Sequence, residues 1–254
     1  MTNCVPDLNI LDSGAQCFPL YYYVQRTGKA PQLPGVSQGD AEYERKDAIT
    51  DFALKECRER YGQQVTKEDI FYFIYGFLHS PDYRTTFAND LKKSLPRIPF
   101  LDSAEDFWAF SKAGRELADL HLNYEEQPAH PDVKIQMRRA EGVDETGLYR
   151  VVKMRFPDKA NKSVIRYNDR ITLSNIPLDA YDYVVNGRSA IGWIMERYQV
   201  KTDSASGIVN DPNDWSAEHG KPRYILDLLL SVITVSLKTQ EIVNGLPKLS
   251  FGDK

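Results

Sequence analysis

Apolar positions recur at helical spacing through most of the first half of the chain. Ile49, Phe52, Cys57 and Tyr61 roughly track one face, and Gly62 suits the left-handed residue that ends a helix. Thr66 suits an N-cap, with Glu68 and Asp69 in the electropositive first turn and Ile70, Phe73, Ile74 and Phe77 on one stripe. Ser80-Pro81 restarts the chain, and Tyr83, Phe87 and Leu91 continue the pattern until Pro96 blocks it. Ser103 then caps a helix whose face runs Phe107, Phe110, Gly114, Leu117, Leu120 and Tyr124. Three or four packed helices are expected between about residues 44 and 125, with these Tyr and Phe stripes as core. Ahead of them, Cys17-Phe-Pro-Leu-Tyr-Tyr-Tyr-Val24 is aromatic and β-prone, and residues 27–40 read as a Gly/Pro/Gln-rich loop.

From 132 to 175 the texture changes. Residues 148–156 and 164–173 are rich in β-branched and aromatic side chains, separated by Pro157-Asp158 and Asn161-Lys162. The second run has two readings. As one strand it places Arg166, Asn168 and Arg170 on one face; alternatively Asn168-Asp169 is a two-residue hairpin turn. After Pro177, Ala180, Tyr181 and Val184 form a short helical piece that Asn186-Gly187 breaks. A helix then starts near Ser189 with Ile191, Ile194, Met195 and Tyr198 inward. Residues 199–215 read as a polar connector with turns at Ser206-Gly207 and Asp211-Pro212, and Pro222 opens an apolar helix ending at Gly245. The expected fold class is α+β: a helical N-terminal half, a central antiparallel β segment and a helical C-terminal part. The expected division is a linker over 1–43, a helical subdomain over 44–130 and a β-containing recognition subdomain with C-terminal helices over 131–254.

At 254 residues with 42% hydrophobic and 27% charged residues, the chain has the composition of a globular protein rather than a disordered tail. Its longest apolar stretch, 225–237, contains Asp227 and falls short of the ~20 residues a membrane span needs. No signal peptide is visible, so a soluble, cytoplasmic protein with no membrane partner is expected. Three cysteines without a C-x-x-C pair and four scattered histidines indicate neither a disulfide framework nor a metal site. The formal charge of −4 hides an asymmetry: residues 133–170 hold ten Lys/Arg against five acids. The segment is therefore +5 and the remainder −9.

No G-x-x-x-x-G-K-[ST], G-x-G-x-x-G or G-x-S-x-G pattern is present, which removes the phosphate-cradling loop and the nucleophile elbow. Glu44-Arg45-Lys46, with Asp40 upstream, has the E-x-K form of a metal nuclease, but such acids sit on strands and this stretch reads as a solvated helix start. Asn210-Asp211-Pro212-Asn213 lacks the aromatic that adenine-N6 methyltransferases stack on a flipped base, and reads as an Asx-Pro turn. The basic zone remains. DNA readers need Lys/Arg for phosphates, with Arg and Asn placed for guanine and adenine edges. Arg138, Arg139, Arg150, Lys153, Arg155, Lys159, Lys162, Arg166, Asn168 and Arg170 supply that mixture, and Asn186, Arg188 and Lys201 are further candidates. The alternative is a solvated sheet face with helix caps and surface turns.

The segments 17–23, Ile49-Thr-Asp-Phe-Ala-Leu54, Asp69-Ile-Phe-Tyr-Phe-Ile-Tyr-Gly-Phe-Leu-His-Ser80, Leu95-Pro-Arg-Ile-Pro-Phe100 and 107–124 resemble the large single-chain Type ISP restriction–modification enzymes. So do Tyr183-Val-Val-Asn-Gly-Arg-Ser-Ala190, Tyr198-Gln-Val-Lys-Thr-Asp203 and Ser206-Gly-Ile-Val-Asn-Asp-Pro-Asn213. Their order and spacing are similar to that family's C-terminal target-recognition region over nearly the whole chain. The resemblance implies a non-catalytic domain that selects a double-stranded DNA sequence. Adenine-N6 methylation and ATP-dependent cleavage would belong to upstream methyltransferase, coupler, translocase and nuclease modules. It implies no cofactor in this chain, with S-adenosylmethionine, ATP and Mg used by the parent enzyme. Met1 stands just before the recognition region, which reads as a shortened chain. The competing expectation is a docking module for the methyltransferase and coupler, which residues 101–132 suit with two Lys/Arg against eight acids.

Overall fold

The computed structural model describes residues 1–4, 17–25, 43–139 and 141–251. The loop expected over 27–40 lies outside them. The chain forms two compact units, one of Met1–Ala118 with Leu246–Lys254 and one of Asp119–Gly245. The α+β class expected from the sequence is the one observed.

In the first unit, β1 (Tyr21–Gln25) pairs antiparallel with β2 (Tyr43–Asp47), Tyr21 opposite Asp47. Glu44-Arg45-Lys46 therefore lies on a strand, not on the expected helix start. Pairing with the aromatic β1, helped by the Arg45 guanidinium 4.2 Å from the Tyr21 ring centre, overrides the local polarity. Glu44 pairs with Lys46 at 3.2 Å, Asp40 lies outside the described residues, and among those residues no three His, Cys, Asp or Glu group as metal ligands.

Thr50 caps α1 (Asp51–Tyr61), whose stop, Gly62, has a φ of 111°. Phe52 departs from the expected stripe and is 72% exposed. Nine positions separate it from buried Tyr61, two and a half turns at ~3.6 residues per turn, so the two point opposite ways. Thr66 and Asp69 form a reciprocal capping box on α2 (Lys67–Phe77). After Ser80, α3 (Pro81–Thr86) ends well before the expected Leu91: Thr85 and Thr86 are β-branched, and Asn89-Asp90 opens a turn in which the Asp90 carbonyl accepts from Lys93 and Ser94. Ser103 caps α4 (Ala104–Leu122). The core is aromatic, with Tyr61 stacked on Phe107 at 4.3 Å and Phe73, Phe77 and Phe110 buried around them. Helices α2 and α4 cross at Gly76 and Gly114 with backbones in contact; a Cβ at Gly114 would lie 1.8 Å from the Tyr72 carbonyl oxygen.

In the second unit, β3 (Lys134–Met137) is followed by α5 (Glu145–Tyr149), β4 (Ile165–Arg166) and β5 (Ile171–Ser174). The three strands form one antiparallel sheet in the order β3-β5-β4. The strand expected over 148–156 is corrected: α5, capped by Asp144, takes 148 and 149, and only Arg155 bridges to Arg166. Of the two readings of 164–173 the hairpin is observed, with a three-residue loop at 168–170 closed by Tyr167 N–H donating to the Ile171 carbonyl at 3.0 Å.

Next come a 3-10 turn at Leu178–Tyr181, then β6 (Val184–Val185) and β7 (Arg188–Ser189). Val184 is thus a strand residue, not the end of a helical piece. Asn186 and Gly187, with φ of 49° and 77°, make the turn that joins the two strands. Ser189 caps α6 (Ala190–Arg197). The expected connector holds a second small hairpin, β8 (Lys201–Thr202) with β9 (Val209–Asn210), and α7 (Asn213–Glu218). The last element, α8 (Tyr224–Asn244), is buried all round from Leu228 to Ser236 and forms the spine of this unit's core with Leu148, Val151, Ile165, Tyr167, Ile171, Leu173 and Ile191. Its polar residues find partners: Thr234 donates to the Pro128 carbonyl at 2.7 Å, and Thr239 meets the His121 ring at 3.0 Å.

Candidate nucleic-acid interface

Alternation sorts the sheet into two faces. Ile135 and Met137 on β3, Ile165 on β4, and Ile171 and Leu173 on β5 turn toward α8 and the core. Lys134 and Gln136, Arg166, and Thr172 and Ser174 are left on the opposite face. Arg155 joins it through paired backbone bonds with Arg166 of 3.0 and 2.8 Å. Past the end of β3, the Arg138 N–H donates to the Arg170 carbonyl at 2.9 Å, which extends the register to those two residues.

The face therefore carries two cross-strand Arg–Arg pairs, Arg138 with Arg170 and Arg155 with Arg166. Like charges directly opposite each other destabilise a sheet. Asp169 approaches Arg155 at 3.7 Å, and no ion pair among the described residues engages Lys134, Arg138, Arg166 or Arg170. The face keeps most of this repulsion and carries the sign of charge that attracts a polyanion.

Asn168 is committed to the hairpin itself. Its Oδ1 accepts from the N–H groups of Arg170 and Ile171 at 2.8 and 2.7 Å, and its Nδ2 donates to the carbonyls of Leu148 and Arg150, both at 2.9 Å. The Tyr167 hydroxyl, pushed well above its usual pKa by burial, donates to the Tyr149 carbonyl at 2.8 Å. These bonds tie the arginine-bearing loop to residues 148–150.

Asn213 does the same one residue later, accepting from the Val151 N–H at 2.9 Å and donating to its carbonyl at 2.8 Å. Arg150 forms an ion pair with Asp211. Burial pushes the Asp211 carboxyl up, but hydrogen bonds from Asn213 and Arg150 outweigh it and hold the group below its ordinary value. The Asx-Pro turn expected at 211–213 is present, with the Asn213 N–H donating to Asp211 Oδ1 at 2.9 Å.

The other candidates are distributed around this face. Arg139 and Lys153 are exposed, Lys159 lies within the turn bridged by Asp158 and Asn161, and Lys162 follows it. The Lys162 ammonium lies 5.6 Å from the Tyr181 ring centre. Asn186 and Arg188 sit on the β6–β7 hairpin, where Arg188 pairs with Glu196 and shares the Trp193 ring with Arg197. Lys201 is exposed on β8, reached through the Val200 N–H bonded to the Val152 carbonyl at 2.9 Å. Lys134 and Gln136 were not candidates, although the alternation Lys-Ile-Gln-Met-Arg over 134–138 carries the period-two signal that places them.

A family model described as "Type ISP C-terminal specificity domain" matches residues 1–228. Among curated proteins none matches. Among solved structures, the ATP-dependent Type ISP restriction–modification enzyme LlaBIII bound to DNA is 40% identical, with a TM-score of 0.80 over 98% of this chain. A nuclease-deletion mutant of the Type ISP enzyme LlaGI in complex with a DNA substrate mimic is 46% identical, with a TM-score of 0.65 over 80% of the chain. A DrdV–DNA complex is 29% identical, with a TM-score of 0.75 over 98%. The chain spans 15%, 14% and 23% of those three proteins. By the extent of the family match and this likeness, the chain belongs to the family of Type ISP C-terminal specificity domains.

Proposed function

We propose that the polar face of the β3-β5-β4 sheet is where this specificity domain docks on double-stranded DNA, choosing the sequence at which a larger restriction–modification enzyme acts. The chain contributes recognition and no chemistry. Adenine-N6 methylation and ATP-dependent cleavage, with their S-adenosylmethionine, ATP and Mg, belong to methyltransferase, coupler and motor parts beyond it, working in the cytoplasm. The two cross-strand Arg–Arg pairs, of whose four guanidinium groups only Arg155 meets a carboxylate, carry the reading; the DNA-bound state of the three similar enzymes agrees with it. No helix among the described residues is long and apolar enough to cross a membrane.

Fluorescence anisotropy with a mixed-sequence duplex tests it. The isolated chain should bind with a Kd of ~10⁻⁴–10⁻⁶ M, the range for non-specific contacts. The double variant Arg166→Ala/Arg170→Ala should weaken binding roughly tenfold per residue at about 50 mM salt. Lys112→Ala, at an exposed position of α4 in the other unit, should leave it unchanged. Equal binding by all three proteins would make the face an ordinary solvated sheet.

A further inference from the structure

The cations on this face explain attraction to a duplex but not choice among sequences, because phosphate contacts carry no base information. Choice needs a group with a fixed direction and an uncommitted donor and acceptor. The most obvious amides fail this requirement. Asn168 and Asn213 have both ends engaged by backbone, and the amides of Gln127 and Gln199 donate to the carbonyls of Asn123 and Glu196. Gln136 differs. It is exposed, its side-chain amide makes no hydrogen bond to a described residue, and it is the one amide on the polar face among them.

Its position is also central. Gln136 lies directly opposite Thr172, which lies opposite Arg166, so the three form a row across the sheet. Along β3 it has Lys134 two residues before it and Arg138 two residues after. Ile135 and Met137 pack into the core on either side of it, which fixes the outward direction of the side chain. β3 is an edge strand, and a β-ribbon fits the major groove, which is ~12 Å wide. Phosphates on either side would be held by the flanking cations while the neutral amide faces the base edges. A glutamine presents one acceptor and one donor side by side, the complement of the adenine N6 donor and N7 acceptor.

Resting on the docking face proposed above, we infer that Gln136 is a specificity-determining residue that reads an adenine through the major groove. The test is selection from a randomised duplex pool by the full 254-residue chain, wild type and variants. Gln136→Ala should lose preference at a single A·T position by about five- to 150-fold, the worth of one bidentate base contact. Other positions, the salt dependence and the thermal midpoint should not change, since the residue is exposed. Gln136→Glu, an acceptor only, should move the preference at that position from adenine toward cytosine, whose N4 donates. Selection of the same sequence with the same discrimination by Gln136→Ala overturns the inference. So does wild-type binding without any sequence preference, which leaves the docking face standing. A chain that binds no duplex overturns both.

Discussion

Asp69 serves three structural purposes with one carboxylate. Its Oδ2 accepts from the Thr66 N–H and hydroxyl at 2.9 and 2.6 Å, closing the cap of α2, and its Oδ1 takes the Arg115 guanidinium of α4 at 2.7 Å. Burial pushes its pKa up, but the bonds from Thr66 and Arg115 outweigh burial and hold it below the usual carboxylate value of 3.8. A carboxylate with a depressed folded-state pKa stabilises fully above its unfolded value, and that contribution is lost as pH falls through the folded value. Asp69→Asn should therefore be less stable than wild type by about 1–2 kcal/mol at pH 7. Urea midpoints of the two proteins should converge as the pH drops below about 4; a gap that stays constant with pH would refute the account. The same side-chain view shows what sequence could not reveal at the candidate site. Residue type alone makes Asn168 a base reader and Arg150 a phosphate contact. Their commitments are to Leu148 and Arg150 carbonyls and to Asp211, partners 18 to 61 residues away that only the folded chain brings together.

The crossing of α2 and α4 depends on Gly76 and Gly114 having no side chains. A Cβ on Gly114 would meet the Tyr72 carbonyl oxygen at 1.8 Å, and one on Gly76 the Phe110 carbonyl oxygen at 2.2 Å. Both obstacles are helix backbone, which cannot rotate aside, so the helices would have to part and loosen the Phe73–Phe107 contact, now 4.9 Å between ring centres. Gly114→Ala should destabilise this unit by about 1–3 kcal/mol despite its higher helix propensity. A lower urea midpoint with unchanged slope would show it; a rise would mean that the propensity gain wins. Elements fixed by local chemistry were legible: the Thr66 and Ser103 caps, the restart at Ser80-Pro81 and the Gly62 stop were placed correctly because each needs only neighbours a few residues away. Elements fixed by remote pairing were not. β2 reads as helix until β1 is beside it, and residues 148–156 read as strand until their bonds go to Asn168 and Asn213 instead of a ladder. The β6–β7 hairpin is a different kind of miss, since Asn186-Gly187 is a strong local turn signal that the short strands around it obscured.

At the scale of the whole chain, the charge distribution has a measurable consequence. The formal charge is −4, yet residues 133–170 carry +5, and the sheet brings Lys134, Arg138, Arg155, Arg166 and Arg170 from three separate stretches of that zone onto one face. The basic zone was legible as composition; its assembly into a surface was not, because register decides which half of the residues faces outward. The remainder of the chain is net −9, so association should favour this face and should depend steeply on salt. Five neutralised phosphates predict a slope of about −4.5 in log K against log salt, which is roughly a 500-fold loss of affinity between about 50 and 200 mM. Asp169, which already screens Arg155, should hold the measured slope nearer −4. Arg170→Ala should reduce its magnitude by about 1. A slope of −1 or less in magnitude, or one indifferent to Arg170→Ala, would mean that these cations do not meet the phosphates together, and the recognition surface would have to be sought on the β6–β7 and β8–β9 hairpins, where Arg188 and Lys201 remain.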